Sequence, residues 1–223
     1  MMDYKKNSKY FNPVNLKFPI ILIIVGLLLS MAVIGIPILI IGVILLILQF
    51  AGKPSDGDLD RQAHAQIANI KEEALNKLGL DESEVSLIEP IVFEGYDFRN
   101  ISTQSWYKLG NDGRYRASNY SGTVFLFSEN QVYFYQRRFS LINNEKQVNT
   151  DEYFYKDIVS ASTSSESMTY TDKKGKQQTI PYEEFVLTTM GATKMFASIR
   201  VNDPSVEKSI KGMKNLLREK KTA

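Results

Sequence analysis

The chain has 223 residues, with 27 lysines and arginines, 25 acidic residues and a formal net charge of +2. It has no cysteine and one histidine, His64, which excludes disulfides, thiolate catalysis and multi-histidine metal sites. Four lysines and one aspartate precede residue 51, which leaves 23 of the basic and 24 of the acidic residues in the rest of the chain. A near-neutral balance of this kind is not that of a nucleic-acid-binding protein.

An uncharged apolar run extends from Ile20 to Phe50. It is about twice as long as the apolar core of a signal peptide, and no small-residue cleavage site follows it. A run of this length has no polar face to present to water, which argues against a helix of a soluble core. The sequence therefore predicts an uncleaved membrane segment over residues 18–51, preceded by a basic N-terminal tail over 1–17.

The only proline of this run lies in the stretch Gly35-Ile36-Pro37. One straight helix over the run would be about 46 Å long, which exceeds the hydrocarbon core of about 30 Å by more than a usual tilt absorbs. Glycine is favoured just after a helix, and proline at the first position of the next. These three residues are therefore predicted to be the membrane turn of a transmembrane helical hairpin. The alternative is one long helix kinked at Pro37.

The two interpretations place the rest of the chain in different compartments. Basic residues flank the apolar run on both sides, among them Lys17 before it and Lys53 after it. Because cytoplasmic flanks carry an excess of lysine and arginine, the hairpin predicts a cell-membrane protein whose soluble domain is cytoplasmic. A single crossing predicts instead an envelope protein that displays this domain outside the cell.

A short linker over 52–57 precedes a predicted amphipathic helix over 58–80, capped by Asp58. Its apolar side chains recur every three or four residues, at Leu59, Ala63, Ile67, Ile70, Ala74 and Leu78. The spacing predicts one apolar stripe along the helix. Acidic residues match the basic ones here, and no Trp or Phe anchor is present, so the stripe is expected to pack on protein rather than among lipids.

From residue 81 onward, short runs rich in aromatic and β-branched residues alternate with turn residues, which predicts strands. A β-rich extension over 81–119 comes first. The strands predicted after it are 123–127, 132–139, 146–154, 158–163, 168–171, 184–189 and 194–201. The pair Asp203-Pro204 then begins a C-terminal helix whose predicted buried stripe is Val206, Ile210, Met213 and Leu217. The fold class is therefore α+β.

Seven antiparallel strands followed by one amphipathic helix are the outline of a pleckstrin-homology (PH) barrel. The segments that carry the likeness are VYFYQRRFSL (132–141), EYFYKDIVSAST (152–163), EEFVLTT (183–189) and SVEKSIKGMKNLLREK (205–220). From about residue 121 the chain resembles the bacterial PH-like domains, and the predicted domain spans 120–221. The resemblance implies a PH-like antiparallel β-barrel capped by a C-terminal α-helix, acting as a binding or assembly module. The loop SENQ (128–131) lacks the basic residues with which eukaryotic relatives bind inositol phosphates.

Seven basic residues near predicted turns are candidates for contact with lipid headgroups. They are Arg114, Arg116, Arg137, Arg138, Lys173, Lys174 and Lys176. Near an anionic leaflet, each basic residue contributes about 1 kcal/mol of attraction. The alternative is that these residues belong to solvated turns that keep the domain soluble.

Five aromatic residues are candidates for an interaction surface: Trp106, Tyr133, Tyr135, Tyr153 and Tyr155. Consecutive aromatic residues on a strand point to opposite faces, so about half of them face outward unless something covers them. In one interpretation, a second copy or a protein partner covers them. In the other, the strands of 86–109 or the helix over 58–78 do so.

The sequence contains no recognisable catalytic pattern. His64 has no serine or acid at a catalytic spacing, and the acidic pairs at 151–152 and 183–184 point to opposite faces of their strands. Phosphate loops, dinucleotide-binding glycines and nucleophile elbows are also missing. We therefore expect neither an enzyme nor a protein with a metal or cofactor.

The combined prediction is a membrane-anchored, non-catalytic PH-like binding and assembly module at the inner membrane surface. Its expected partners are the lipid bilayer and either a second copy or an unknown protein, with no nucleic acid.

Overall fold

The computed structural model describes residues 2–31, 34–99, 105–172, 175–191, 193–199 and 204–222. Its α-helices are α1 (Tyr4–Phe11), α2 (Lys17–Leu28), α3 (Gly35–Phe50), α4 (Asp56–Ile67), α5 (Ile70–Leu78) and α6 (Pro204–Thr222). Its strands are β1 (Ile91–Tyr96), β2 (Tyr107–Leu109), β3 (Tyr115–Ala117), β4 (Asn119–Phe127), β5 (Gln131–Ser140), β6 (Lys146–Phe154), β7 (Ile158–Thr171), β8 (Gln177–Thr189) and β9 (Lys194–Ser198).

Two antiparallel sheets form the body of the protein. The main sheet has the strand order β1-β4-β5-β6, and the second sheet has the order β7-β8-β9. A small hairpin, β2–β3, is inserted between β1 and β4. The α+β class, the antiparallel sheets and the C-terminal helix predicted from the sequence are confirmed. The predicted strand over 146–154 coincides with β6, whereas the strands predicted over 158–163 and 168–171 are one continuous strand, β7.

The main sheet is covered on both faces, which explains why β4 and β5 lack an alternation of apolar and polar residues. Helices α1, α4 and α5 cover one face and form a helix-side core, which includes Tyr10, Leu59, Ile67, Val124, Tyr133 and Tyr135. The second sheet and α6 cover the other face and form an inter-sheet core, which includes Phe93, Phe125, Phe134, Phe185, Met195 and Met213.

The helix predicted over 58–80 is two helices, α4 and α5, separated at Ala68 and Asn69. It also begins earlier than predicted. Ser55 is the N-cap, and Asp58 is the third residue of a reciprocal capping box rather than the cap. Gly79 ends α5 in the left-handed conformation (φ 67°).

The predicted apolar stripe of these helices is buried against the main sheet. Leu59, Ala63, Ile67, Ile70 and Ala74 all belong to the helix-side core. Gly122 of β4 makes this approach possible, because a Cβ atom there would lie within 2.5–2.6 Å of the Cδ1 atoms of Ile67 and Ile70. The expectation that the stripe packs on protein is therefore confirmed.

The apolar run of residues 20–50 forms most of α2 and α3, which pack closely against each other. A Cβ atom at Gly26 would lie 2.7 Å from Leu39 Cα, and one at Gly42 would lie 2.9 Å from the backbone nitrogen of Ile23. The predicted turn residues Gly35, Ile36 and Pro37 are instead the first residues of α3. Most of the exposed large apolar side chains of the described chain belong to these two helices.

The predicted transmembrane hairpin is wrong. The helices that the structure describes include none with both the length and the apolar character required to cross a membrane. The break before Gly35 divides the run into helices of 12 and 16 residues, so the alternative of one long helix kinked at Pro37 is wrong as well. The membrane anchor, and with it the placement at the cell membrane, is not supported.

The N-terminal segment predicted as a basic tail contains α1, which docks on the helix-side core. Tyr10 and Phe11 are buried there. The Asn7 side-chain amide donates hydrogen bonds to the Leu141 carbonyl oxygen (3.0 Å) and to Gln62 Oε1 (3.1 Å). The Lys53 ammonium group donates to the Asn12 carbonyl oxygen (2.9 Å), which joins the chain on both sides of the α2–α3 pair.

Candidate functional site: a polar cleft between the sheets

The face of the main sheet that looks toward the second sheet changes from apolar to polar along its strands. Three rows of paired residues, each read from β1 to β6, show the change. They are Ile91, Phe125, Phe134 and Asp151; then Phe93, Thr123, Gln136 and Asn149; then Gly95, Ser121, Arg138 and Gln147. The inter-sheet core therefore gives way to polar groups at one end of the sheet pair.

A cavity of about 480 Å³ opens at this polar end. We call it the polar cleft, and its main lining residues are Gln136, Arg138, Asn149, Asp151, Lys194 and Phe196. They come from β5, β6 and the beginning of β9. Small-molecule sites in proteins typically have volumes of about 300–1,000 Å³, so the polar cleft is large enough for a small ligand.

The strand β9 lies tightly on the main sheet beside the polar cleft. Gln136 is 2% exposed, and its side-chain amide donates to Thr123 Oγ1 (3.0 Å) and to the Phe196 carbonyl oxygen (2.7 Å). The hydroxyl of Ser121 donates to that of Ser198 (3.0 Å). Gly95 allows this proximity, because a Cβ atom there would lie 3.2 Å from Ser198 Cβ. These contacts fix the orientation of the groups on the cleft wall.

A row of charged side chains, joined by ion pairs, lies behind the wall of the polar cleft. Arg138 Nε lies 3.2 Å from Asp97 Oδ2, and Arg99 Nε lies 3.9 Å from Asp97 Oδ1 and 3.6 Å from Glu184 Oε2. Burial raises the pKa of the Asp97 and Glu184 carboxyls and lowers the pKa of the Arg138 guanidinium. The Arg99 guanidinium also lies 4.3 Å from the centre of the Phe196 ring. Each buried charge therefore has an opposite charge beside it.

A second group of charges, centred on Arg116, joins the helices to the small hairpin. The Arg116 guanidinium donates to both carboxylate oxygens of Asp60 (2.8 and 2.7 Å) and of Asp112 (2.9 and 2.8 Å). The hydroxyls of Tyr10 and Tyr96 donate to Asp56 (2.6 Å) and Asp60 (2.5 Å), respectively. We call these residues the Arg116 cluster. Its donors are already occupied within the protein, so its role is to hold α1, α4 and the β2–β3 hairpin together.

The basic candidates do not form a common surface. Arg116 is buried in its cluster, Arg137 binds the Glu73 carboxylate and the Gln66 carbonyl oxygen, and Arg138 lies in the wall of the polar cleft. Two candidates, Arg114 and Lys176, are exposed near separate turns. The remaining two, Lys173 and Lys174, lie outside the described residues. The structure therefore gives no shared headgroup surface among the described candidates.

The aromatic candidates are packed rather than presented to solvent. Tyr133, Tyr135 and Tyr155 are buried, with exposures of 8%, 3% and 4%. Trp106 packs partly buried on the helix-side core, and Tyr153 packs partly buried on the inter-sheet core. Helices α4 and α5 help to cover Trp106, Tyr133 and Tyr135, as in the second interpretation of the aromatic candidates.

The residues that build the polar cleft were mostly missed from the sequence. Arg138 was a candidate, but Asp97, Gln136, Asp151 and Lys194 were not. One signal was present: after Val132 and Phe134, the same strand face continues with Gln136 and Arg138. An apolar face that turns polar within one strand indicates the end of a core and the start of a polar cavity.

The strand β6 forms an edge of the main sheet beside the polar cleft. It has nine residues and pairs with β5 on one side, and no strand of the described chain pairs with its other side. Most of its residues are exposed. Its outer backbone N–H and C=O groups are therefore placed to pair with a further strand.

Neither a metal site nor a known relative adds to this picture. The described residues contain no group of three or more His, Asp or Glu side chains that could hold a metal ion. No protein-family model, curated protein or solved structure matches the chain.

Proposed function

We propose that the protein is a non-catalytic assembly module in which two copies join through their β6 strands. The two strands pair antiparallel about a two-fold axis, so that the main sheets of both copies become one continuous sheet. The length and exposure of the β6 edge support this pairing, because its unpaired backbone groups gain partners. The PH-like resemblance, which implies a binding or assembly module, agrees with the same function.

The observation that carries the proposal is the self-complementary spacing of charges on β6. A two-fold axis at Asn149 places Lys146 of each copy opposite Glu152 of the other. Both side chains are exposed. They lie on the same face of the strand, because they pair with Phe139 and Tyr133 of β5. Opposite charges at paired positions contribute about 0.2–1 kcal/mol each, and the pair occurs twice in a dimer.

Neighbouring registers lack this complementarity. An axis at Thr150 would place Lys146 opposite Phe154. An axis at Val148 would place Glu145 opposite Asp151, which brings two like charges together. The charges of β6 therefore select the register centred on Asn149.

Charge reversal tests this assembly. We expect Lys146→Glu and Glu152→Lys each to weaken dimerisation about 10- to 30-fold, because each change replaces two attractive pairs by two repulsive ones. The double variant K146E/E152K restores the opposite charges and is expected to recover the wild-type constant. The measurement is sedimentation velocity of the full chain, in a mild non-ionic detergent that covers the exposed apolar side chains of α2 and α3.

The control is Lys77→Glu, which reverses an exposed charge on α5, away from β6, and is expected to leave dimerisation unchanged. A wild-type chain that stays monomeric at high micromolar concentration would overturn the proposal. A double variant that remains as weak as the single variants would overturn the register.

A further inference from the structure

Arg138 lines the polar cleft with a mostly buried side chain that forms an ion pair with Asp97. Its side chain is 17% exposed and lines the cavity, while its Nε atom faces the buried Asp97 carboxylate. Among the described residues, no hydrogen-bond acceptor is found for its terminal nitrogens. A guanidinium that forms an ion pair on one side, without a hydrogen bond there, keeps its N–H groups for a ligand, in the fork that matches the two oxygens of a carboxylate.

The charges around the cleft favour a ligand with a single negative charge. The lining carries Arg138 and Lys194 against Asp151, an excess of one positive charge. Behind the wall, the carboxyls of Asp97 and Glu184 face the single guanidinium of Arg99, so lining and wall together are neutral and a second negative charge on the ligand is disfavoured. A dianion such as phosphate would bring two charges to this lining and would approach the Asp151 carboxylate. A monocarboxylate brings one charge and has the planar shape that Arg138 receives best.

The other lining residues of the cleft are suited to a ligand whose remaining groups, outside the carboxylate, are polar. Gln136 uses its side-chain nitrogen in two hydrogen bonds, so its amide is oriented before any ligand enters and its Oε1 atom is the group left to accept from a ligand. Asn149 of β6 adds a further amide, while Phe196 supplies one aromatic contact. The cavity of about 480 Å³ accommodates a molecule with several polar groups in addition to the carboxylate.

We infer that the polar cleft binds a small polar molecule through one carboxylate group. Arg138 binds the carboxylate, Lys194 adds the second positive charge, and Gln136 and Asn149 orient the polar remainder. The proposed assembly uses the outer backbone groups of β6 and the side chains of Lys146 and Glu152, whereas the cleft uses the side chains of Asn149 and Asp151, so the two are tested by different variants.

Matched probes test the charge requirement. N-acetylglycine is a small polar monocarboxylate, and N-acetylglycinamide is its neutral analogue. Each is titrated into the full chain at constant ionic strength, together with inorganic phosphate as the dianion, and followed by NMR of the Arg138 Nε–H and the Gln136 and Asn149 side-chain amides. We expect saturable shifts with N-acetylglycine, none with the amide, and at least fivefold weaker binding of phosphate. Equal shifts with the amide, or tighter binding of phosphate, would contradict the inference.

Substitutions of cleft residues test whether N-acetylglycine binds in the polar cleft. Lys194→Gln is expected to weaken N-acetylglycine binding about three- to fivefold, and Asp151→Asn to strengthen it about two- to threefold. Both residues are exposed, so neither change removes a core contact. Arg138→Lys keeps the charge but loses the fork, and a loss of at least tenfold is expected. Arg61→Gln, a 78% exposed side chain on α4, is the control and leaves binding unchanged. Unchanged affinity in both Lys194→Gln and Asp151→Asn would overturn the site.

Discussion

Replacing Phe125 by alanine is expected to lower the free energy of unfolding by about 3–5 kcal/mol. Phe125 is fully buried at the centre of the inter-sheet core. Its ring lies 5.9 Å from that of Phe93, 5.5 Å from that of Phe134 and 5.5 Å from that of Phe185, centre to centre. Phe185 belongs to the second sheet, so the substitution removes the ring through which the two sheets meet and leaves a cavity between them.

Guanidinium chloride unfolding of the full chain measures this effect. Phe125→Leu keeps most of the buried volume and is expected to cost less than half as much as the alanine substitution. Phe154→Ala is the control, because this ring is 51% exposed at the end of β6, and its loss is expected to cost under about 1 kcal/mol. If Phe125→Ala cost no more than Phe154→Ala, the two sheets would not share the core described above.

Replacing Arg116 by methionine is expected to lower the free energy of unfolding by about 2–3 kcal/mol. Breaking a buried ion pair typically costs 3–5 kcal/mol, because a charge is left without its partner. The effect is smaller here, since the carboxylates of Asp60 and Asp112 are 42% and 39% exposed and regain water when Arg116 is removed. Methionine retains much of the side-chain volume, so the measurement reports mainly on the charge.

Urea unfolding measures the change, and Arg114→Met is the matched control. Arg114 is exposed two residues away on the same hairpin, and its substitution is expected to change the free energy of unfolding by less than about 0.5 kcal/mol. Similar losses in the two variants would show that Arg116 does not hold the helices to the hairpin.

The Arg116 cluster also predicts how stability depends on pH. Hydrogen bonds from Arg116 keep the pKa of Asp112 well below its usual value. The pKa of Asp56 is also below its usual value, because hydrogen bonds from Tyr10 and the Asn111 backbone outweigh the effect of burial. Carboxyls with a lowered pKa bind fewer protons in the folded state, so their stabilisation is present above the unfolded pKa of about 3.9 and is lost as the pH falls.

We therefore expect the stability difference between the wild type and Arg116→Met to shrink between about pH 5 and pH 2. Urea midpoints at pH 7 and pH 3 measure it. A difference that stays constant over this range would show that the Asp112 carboxylate does not gain its stability from Arg116.

Local patterns predicted much of the fold. The residues of β6 lie between turn residues, and the stripe from Leu59 to Ala74 recurs at helical spacing, so both could be read from neighbours in the chain. The break at Ala68 and Asn69 could not, because the same stripe continues across it. The cap at Ser55 was missed for a similar reason, since Asp58 satisfies the same capping rule three residues later.

The candidate site was less predictable, because it depends on contacts between distant parts of the chain. Arg138 and Asp97 are 41 positions apart, and the Gln136 amide is held by a carbonyl group 60 positions away. Contacts between residues so far apart leave no periodic pattern in the sequence by which they could be predicted. The error over α2 and α3 has another origin: the long uncharged run predicted a membrane segment, whereas the helices of 12 and 16 residues on either side of the break before Gly35 do not meet the length and apolar character required to cross a membrane.

The docking of α1 has a consequence for the order in which the chain folds as it is made. Asn7 reaches the carbonyl oxygen of Leu141, which is translated 134 residues later. Until the turn after β5 leaves the ribosome, Tyr10 and Phe11 have no core to enter. Helix α1 therefore docks long after its own residues have been made, once β5 has emerged.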